Sequence, residues 1–307
     1  MPISNESSTI PKISVISPCL NDGKFLRETI GSVLGQTYDN FEFIIKDGGS
    51  TDDTIEILKE YPQIRWVSEK ESGDNPILDA IWQAFSMSRG EYIIFLCVSD
   101  GLVDRQWLKR CVEILDADPE ISWVWGLSQN MTEDSRIGKL WWAEFLEQQP
   151  PQKMDFLPFW MATGHGMESN ACFRRHVFET CHPKNKLEDP FRFHPTPGFN
   201  YRLNTMGYLP HFIPTVSYFG RTHGNQRQEA LENMLDSVIK TYDRYVREYR
   251  EKFLYGNIVH RFRDGNGNVI HEVGKNELWN YRKKVLTYRI KAKLRRELQK
   301  LMDHIVY

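Results

Sequence analysis

The sequence predicts an α/β fold with a mostly parallel sheet flanked by helices. Two observations carry this prediction. Over the first 130 or so residues, short apolar segments rich in β-branched residues alternate with segments of helical periodicity, which is typical of βαβ units. The segment Tyr92–Val98 (YIIFLCV) is apolar throughout, as expected for a strand buried on both of its faces.

The predicted elements follow one another at short intervals. The second helix is expected after Ser50-Thr51-Asp52-Asp53, because these residue types favour the position before a helix, and Ser50 is expected to cap it. The predicted strands are Ile13–Pro18, Phe41–Asp47, Ile64–Glu69, Tyr92–Val98 and Ile121–Leu127, and the other predicted helices are Lys24–Leu34, Ile77–Met87 and Asp104–Leu115.

Beyond about residue 130 the alternation weakens, and the pattern becomes helical again from Gln228. The run Asp264–Asn268 (DGNGN) is a turn signal, so we predict a hairpin between Val259–Phe262 and Val269–Val273. The last segment, Glu277–Tyr307, has apolar residues spaced by three or four and is predicted to be a long amphipathic helix.

Composition and charge limit the partners, the redox compartment and the cellular location that we expect for this chain. The chain has 307 residues and a formal net charge of −2, so we expect no nucleic-acid partner. The five cysteines are widely spaced with no C-x-x-C pair, which indicates a reducing compartment rather than a disulfide framework. No apolar segment approaches the roughly 18 residues that span a bilayer, and Met1 to Pro11 is polar, so a cytoplasmic location is expected.

Polar and acidic residues cluster where the predicted strands end. These ends are Pro18–Asn21, Asp47–Ser50, Glu69–Gly73 and Val98–Gly101, and three of them carry a carboxylate. Ligands of parallel α/β sheets bind beyond the carboxyl ends of the strands. Ordinary loop polarity explains one such end but not four together, so the pattern predicts a binding site at this edge.

Several motifs in this region resemble one known family. They are Pro18-Cys19-Leu20-Asn21, Gln36-Thr37-Tyr38, Phe41–Thr54 (FEFIIKDGGSTDDT), Ser68–Gly73 (SEKESG) with Asp79-Ala80, and Gly90–Asp100. In order and spacing they resemble the opening of the family 2 inverting glycosyltransferases over roughly residues 13–115. The resemblance implies a GT-A (Rossmann-like) fold and a nucleotide-sugar donor, with a UDP-sugar as the expected donor.

The resemblance implies a set of residues that contact the nucleotide. The carboxylate at the position of Asp47 accepts the N3–H of uracil in this family, and the glycines after it allow close backbone approach. An alternative is that Asp47–Asp53 forms a turn and helix cap that needs no ligand. The loop before Asp79 is longer than in relatives. The implied nucleotide-binding residues are Pro18, Leu20, Asn21, Asp47, Gly48, Ser50, Asp79 and Ser99.

The family's metal motif is reduced here. Relatives end the fourth strand in a D-x-D cluster that holds Mg²⁺ or Mn²⁺ on the diphosphate, and such cations prefer oxygen ligands. This chain reads Cys97-Val98-Ser99-Asp100, which keeps one carboxylate. His223 resembles a family position that reaches the metal, although a surface histidine is an equal alternative. We expect Asp100 and His223 to bind the metal weakly and together with the nucleotide.

The catalytic base is not fixed by the motifs. Inverting transfer needs a carboxylate that takes the proton of the acceptor hydroxyl. Relatives place it shortly before an Arg-Leu pair, but alignment on Arg202-Leu203 leaves no carboxylate at that spacing. Glu188 and Asp189 fill the role if an inserted loop follows them, and Glu168 and His194 are further candidates. A solvated charge pair is the alternative for the first two.

The resemblance divides the chain into a flexible tail (1–12), a glycosyltransferase domain (13–227) and a mostly helical extension (228–307). Within the domain, 13–130 is the donor half and 131–227 the acceptor half, which would bind a glycan or a lipid-linked acceptor. The final helix holds nine basic residues and one acid between Arg282 and Lys300. It is expected to contact an anionic membrane surface peripherally, at the inner face. The alternative is that it packs on its own domain or on a second copy of the chain, with its basic face in solvent. An inactive, donor-binding scaffold of the same fold is the alternative to an active enzyme.

Overall fold

The computed structural model describes residues 10–71, 73, 75–165, 171–185, 195–223 and 228–305. The strands are β1 (Ile13–Cys19), β2 (Phe41–Asp47), β3 (Arg65–Ser68), β4 (Tyr92–Phe95), β5 (Gly101–Leu102), β6 (Ile121–Met131), β7 (Ile137–Leu140), β8 (Cys172–Arg174), β9 (Leu209–Arg221), β10 (Arg261–Arg263) and β11 (Val269–Glu272). The helices are α1 (Gly23–Leu34), α2 (Thr54–Lys59), α3 (Pro76–Met87), α4 (Trp107–Ala117), α5 (Phe156–Thr163), α6 (Arg175–Cys181), α7 (Pro195–Thr205), α8 (Gln228–Tyr255) and α9 (Leu278–Ile305).

One large sheet organises the molecule, with the strand order β3-β2-β1-β4-β8-β6-β9-β5 and β7 paired to β6. The first four strands in this order are parallel, as predicted. The rest of the sheet is mixed, because β8 runs antiparallel to both β4 and β6 while β9 runs parallel to β6. The α/β prediction is therefore confirmed, with four adjacent parallel strands from the first half of the chain and a mixed remainder.

Helices cover both faces of the sheet because its strands alternate between two apolar cores. On β1, Val15 lies in the core with Leu26 of α1, whereas Ile16 lies in the core with Ile81 of α3. All four side chains are fully buried. This two-sided burial explains why the central strands are apolar at successive positions instead of every second one.

Most of the predicted boundaries lie within a few residues of the observed ones, and the differences occur near the sheet edge. β2 has the predicted bounds, whereas β4 ends at Phe95, three residues before Val98, because the chain turns into the loop that carries Asp100. α2 begins at Thr54, and Ser50 does not cap it. β6 continues to Met131 because it pairs along its length with β9.

The C-terminal extension has the predicted helix, hairpin and helix. α9 packs on the core through Val285, and Tyr288 lies edge-on to Phe159 of α5 at 5.5 Å between ring centres. The hairpin of β10 and β11 is antiparallel. Its backbone is hydrogen-bonded to the domain, since Arg263 N donates to Gly207 O at 2.8 Å. Within the described residues, no helix is long and apolar enough to cross a membrane.

Candidate functional site

The ends of the first three strands meet at one edge of the sheet. Cys19 pairs with Asp47 in the parallel register of β1 and β2, and Asp47 pairs with Ser68 in that of β2 and β3. Backbone bonds continue past the strands, since Gly48 N donates to Cys19 O at 2.9 Å and Glu69 N donates to Asp47 O at 3.0 Å. The register therefore brings three of the four predicted strand ends together.

Asp47 is fully enclosed by its own loop. Its Oδ2 accepts from Gly49 N at 2.9 Å, Ser50 N at 3.0 Å and Ser68 Oγ at 2.6 Å. Its Oδ1 accepts from the Ser50 hydroxyl, and the residue has no exposed surface. This arrangement supports the alternative in which Asp47 shapes the turn, while base reading by Asp47 stays a prediction.

Asn21 ties the first strand end to the same loop. It adopts a left-handed backbone with φ of 54°, which Asn tolerates better than most residues. Its N–H donates to Ser50 Oγ at 2.7 Å, and its Oδ1 accepts from Thr51 N at 2.8 Å. Pro18 and Leu20 lie beside it, and Leu20 is exposed. These residues lie at the strand-end edge where the nucleotide site is predicted.

Glu71, which follows β3, forms a buried ion pair with Lys46 of β2. Lys46 Nζ lies 2.8 Å from Glu71 Oε1, and the two side chains are 0% and 7% exposed. A Cβ built on Gly48 would lie 2.8 Å from Glu71 Oε2, so the carboxylate fills the space beside that glycine. Asp79, in the first turn of α3, places its carboxylate against Gly73 in the loop between β3 and α3.

Asp100 lies in a second, buried corner where β9 ends. Its carboxylate accepts from the Tyr218 hydroxyl and from Arg221 N, the latter at 2.9 Å. Burial raises the pKa of the Asp100 carboxyl to about 7, against the lowering effect of these hydrogen bonds. Ser99 adopts φ of 85°, and its carbonyl accepts from Arg221 Nε at 3.0 Å. Arg221 therefore holds this corner together.

His223 lies in the same corner through a shared neighbour. Its ring centre is 4.7 Å from that of Phe25, and the Arg221 guanidinium lies 4.6 Å over the same phenyl ring. Burial lowers the pKa of the His223 imidazole. The residue is 6% exposed, which corrects the alternative of a surface histidine.

Asp100 and His223 do not form a metal site by themselves. In the part of the chain that the structure describes, no three His, Cys, Asp or Glu side chains group as metal ligands. Both Asp100 oxygens already accept hydrogen bonds from the protein. A hard divalent cation would take further oxygen ligands from a diphosphate, so these residues fit a metal only together with a nucleotide.

Two carboxylates of the site were not predicted from the sequence. Glu71 belongs to the SEKESG motif, and a signal for it was the lysine at position 46 in an otherwise apolar strand segment. Asp22 follows Asn21 and precedes α1, and burial raises the pKa of its carboxyl to about 6. Its charge also contributes to the raised pKa of Asp100. The catalytic candidates Glu168, Glu188, Asp189 and His194 lie outside the described residues.

Comparisons with known proteins agree with this architecture. The model of the family described as "Glycosyl transferase family 2" matches residues 14–181. The chondroitin synthase of Escherichia coli is 31% identical over 139 residues, which are 43% of this chain and 20% of that protein. A PGL/p-HBAD biosynthesis glycosyltransferase of Mycobacterium tuberculosis is 29% identical over 119 residues, which are 38% of this chain and 46% of that protein. The matches thus span less than half of each relative.

Solved structures with the same fold are distant in sequence. S. aureus TarS in complex with UDP-GlcNAc has a TM-score of 0.52 at 13% identity, over 80% of this chain and 73% of that one. A mannosyltransferase from Pyrobaculum calidifontis in complex with GDP-Man and Mn²⁺ has a TM-score of 0.53 at 16% identity, over 81% and 72%. At such identities the likeness shows the fold.

Proposed function

The chain belongs to glycosyltransferase family 2, and from this premise we propose that it transfers a sugar from a nucleotide-sugar, most simply a UDP-sugar, to a glycan or glycoconjugate with inversion. The observation that carries the proposal is the meeting of three strand ends around Asn21, Ser50 and Glu71, beside the Asp100 corner. Neighbouring folds hold UDP-GlcNAc or GDP-Man, which supports a nucleotide-sugar as the donor.

In this proposal different residues bind the nucleoside, hold the diphosphate with its cation and accept the proton of the acceptor. Pro18, Leu20 and Asn21 form one wall for the nucleoside, and the loop containing Glu71 forms the other. A divalent cation held by the donor diphosphate with Asp100 and His223 would neutralise charge on the leaving group. The proton of the acceptor hydroxyl passes to a carboxylate, for which Glu168, Glu188 and Asp189 remain the candidates.

A donor panel tests the activity. The protein is incubated with UDP-Glc, UDP-Gal, UDP-GlcNAc, UDP-GalNAc, UDP-GlcA and GDP-Man, and release of nucleoside diphosphate is measured with and without candidate glycan acceptors. We expect release from one donor that increases with the right acceptor. Binding of a donor without any release by the intact protein would favour the inactive scaffold.

The catalytic candidates are tested by single changes to alanine at Glu168, Glu188 and Asp189. Loss of a general base lowers kcat by about 10² to 10⁴ while donor binding is retained. We expect one of the three changes to produce this pattern. If all three variants keep the original kcat, the base lies elsewhere, and Asp22 becomes the next carboxylate to test.

Two tryptophans offer a surface for the acceptor. Trp142 is 45% exposed and adopts φ of 58°, a strained conformation for a bulky residue that often marks a functional position. Trp141, next in sequence, lies beside Gly220, whose built Cβ would be 3.5 Å from its ring, so Trp141 borders the Arg221 corner. We expect Trp142→Ala to raise the KM for the acceptor, and Trp142→Phe to retain part of the affinity.

The extension is proposed to hold the protein at an anionic membrane surface. Val285 packs α9 onto the domain, whereas a stripe on another face of α9 is uncovered. The stripe consists of Leu286, Ile290, Leu294, Leu298 and Leu301, each 51–59% exposed. Exposed basic residues border the stripe on both sides, including Arg289 and Lys291. An apolar face with basic borders is typical of helices that lie in a membrane interface.

Charge favours a lipid surface over a second copy of the chain as the partner. Between Arg282 and Lys300 the helix has nine basic residues and one acid. Pairing two such helices would bring like charges together, whereas each basic residue near an anionic surface contributes about 1 kcal/mol, which salt screens. The predicted association is therefore peripheral and weakens at high ionic strength.

Vesicle sedimentation tests this association. The intact protein should pellet with phosphatidylserine vesicles at low salt, and less at high salt or with phosphatidylcholine alone. The double change Ile290→Glu and Leu294→Glu should abolish pelleting, whereas Ile137→Glu, at an isolated exposed position, should not. An intact protein that ignores anionic vesicles and sediments as a dimer in solution would identify the stripe as a self-association surface.

A further inference from the structure

Lys46 is a buried lysine with all of its hydrogen-bonding capacity used. Its Nζ donates to Asp47 O at 2.8 Å, to Glu69 O and to Glu71 Oε1 at 2.8 Å. An ammonium group has three N–H donors, so each one has an acceptor. A buried charge is costly unless it is paired, and the only carboxylate among these acceptors is that of Glu71. Lys46 therefore fixes the position of one Glu71 oxygen.

The other oxygen of Glu71 lies beside Gly48, where the missing side chain of glycine leaves room for it. It lies 2.8 Å from the position of a Cβ on Gly48, directly after the end of β2. Among the described residues, none donates a hydrogen bond to this oxygen, and the Glu71 side chain keeps 7% of its surface exposed. Within the described residues, Glu71 Oε2 is thus an oriented acceptor at the sheet edge without a hydrogen-bond donor, whereas the Asp47 oxygens are enclosed.

Resting on the proposed nucleotide-sugar donor, we propose that Glu71, oriented by Lys46, selects the donor base by accepting its ring N–H through Oε2. Uracil and thymine carry such a donor at N3, and guanine carries one at N1. Cytosine N3 and adenine N1 have a lone pair at the equivalent edge, which a carboxylate oxygen repels. The arrangement therefore selects UDP, dTDP or GDP and excludes CDP and ADP.

Because Lys46 fixes the orientation of the side chain at position 71, one substitution there can reverse the direction of the hydrogen bond to the base and so test the proposal. In Glu71→Gln, the Lys46 ammonium is a donor and holds the amide oxygen at the place of Oε1. The amide NH₂ then occupies the place of Oε2, so an acceptor becomes a donor without a change of shape. Cytosine N3 can accept from this group, whereas uracil N3–H cannot pair with it.

Binding of UDP, dTDP, GDP, CDP and ADP is measured by calorimetry on the full chain and on Glu71→Gln. The tightest UDP, dTDP or GDP ligand should lose affinity by about tenfold to a hundredfold, the worth of a hydrogen bond to a charged group, and CDP should gain affinity. Hydrogen-bonding sites can discriminate strongly between such isosteric partners. A purely structural role for Glu71 would instead change the affinity for all five nucleotides by one common factor.

A second variant guards against misfolding of the first. Gly48→Ala keeps all charges but places a Cβ where the Glu71 carboxylate lies, so it should also weaken the preferred nucleotide without improving CDP. Retained preference for the same base, at the same affinity, in Glu71→Gln or in Gly48→Ala would overturn the inference while leaving the proposed donor site intact. Failure of the intact protein to bind any of the five nucleotides would overturn both.

Discussion

Asp47 illustrates how much a single enclosed carboxylate stabilises a loop. It accepts hydrogen bonds from the backbone N–H groups of Gly49 and Ser50 and from the hydroxyls of Ser50 and Ser68. Asp47→Ala would leave these donors without their acceptor, and each unsatisfied buried donor costs about 1–3 kcal/mol. We therefore expect Asp47→Ala to lower the free energy of unfolding by at least about 2 kcal/mol in chemical denaturation.

The control for this prediction is Asp47→Asn, which keeps the shape and one acceptor oxygen and should lose less stability than the alanine variant. Equal stability of the alanine variant and the original protein would show that the loop finds other partners. A loss of nucleotide affinity in Asp47→Asn without a loss of stability would indicate that Asp47 itself hydrogen-bonds the base.

For individual residues, the sequence predicted which segments meet at the site but not how each side chain is oriented. The motifs around Asp47, Gly48 and Ser50 predicted that these residues meet at the strand ends, and they do. The sequence did not indicate how the Glu71 carboxylate is oriented, because that depends on its long-range contact with Lys46. Side-chain contacts between two strand ends arise from the register of the sheet and are not visible in either segment alone.

Two glycines give opposite predictions at the scale of elements. Gly31 lies exposed inside α1 with open space around its built Cβ, so Gly31→Ala should stabilise the protein by about 0.5–1 kcal/mol through helix propensity. Gly207 adopts φ of 80°, and a Cβ there would lie 2.0 Å from Arg261 O of the hairpin. Gly207→Ala should therefore destabilise by more than about 2 kcal/mol.

Thermal and chemical unfolding of both variants checks the pair. Because the same substitution is made twice, the sign of the difference reports the local backbone and not the chemistry of alanine. A neutral Gly207→Ala would mean that the hairpin can detach from the domain at little cost, which would contradict a firmly docked extension.

Element types were more predictable than element pairing. The strands β1 to β4 alternate with helices, and short βαβ connections enforce parallel neighbours, which the structure confirms. The position of β8 between β4 and β6 was not predictable, because this three-residue strand carries little periodicity and follows residues with no clear pattern. Only the long-range pairing partners define its direction.

Across the whole molecule, the five cysteines share one chemical state. All are free thiols; four are buried, and Cys97 is partly covered. Burial raises the pKa of Cys19 and Cys97, so the reactive thiolate is suppressed. We expect slow reaction of the folded protein with a thiol reagent at pH 8 and five reactive thiols after unfolding in guanidinium. Recovery of three thiols would instead indicate one disulfide.

Binding of nucleotide and of metal should each be visible as a change in the thermal stability of the whole protein. A ligand at a hundredfold excess over its Kd adds about 2.7 kcal/mol to the folded state, and for a chain of this size that raises Tm by about 4 °C. UDP should produce this shift if the donor is a UDP-sugar. Mn²⁺ alone should produce none, because Asp100 and His223 are too few ligands without the diphosphate.

Mn²⁺ added to the UDP complex should raise Tm further, and Asp100→Asn should remove that increment while keeping the shift caused by UDP. The asparagine keeps an oxygen that accepts from Arg221 N, and its amide can donate to the Tyr218 hydroxyl, so the corner should stay folded while the negative charge is removed. A Tm shift with Mn²⁺ in the absence of nucleotide would contradict a diphosphate-dependent site, because it would require a preformed set of protein ligands. The order of addition therefore separates a metal held by the protein from one that arrives with the donor.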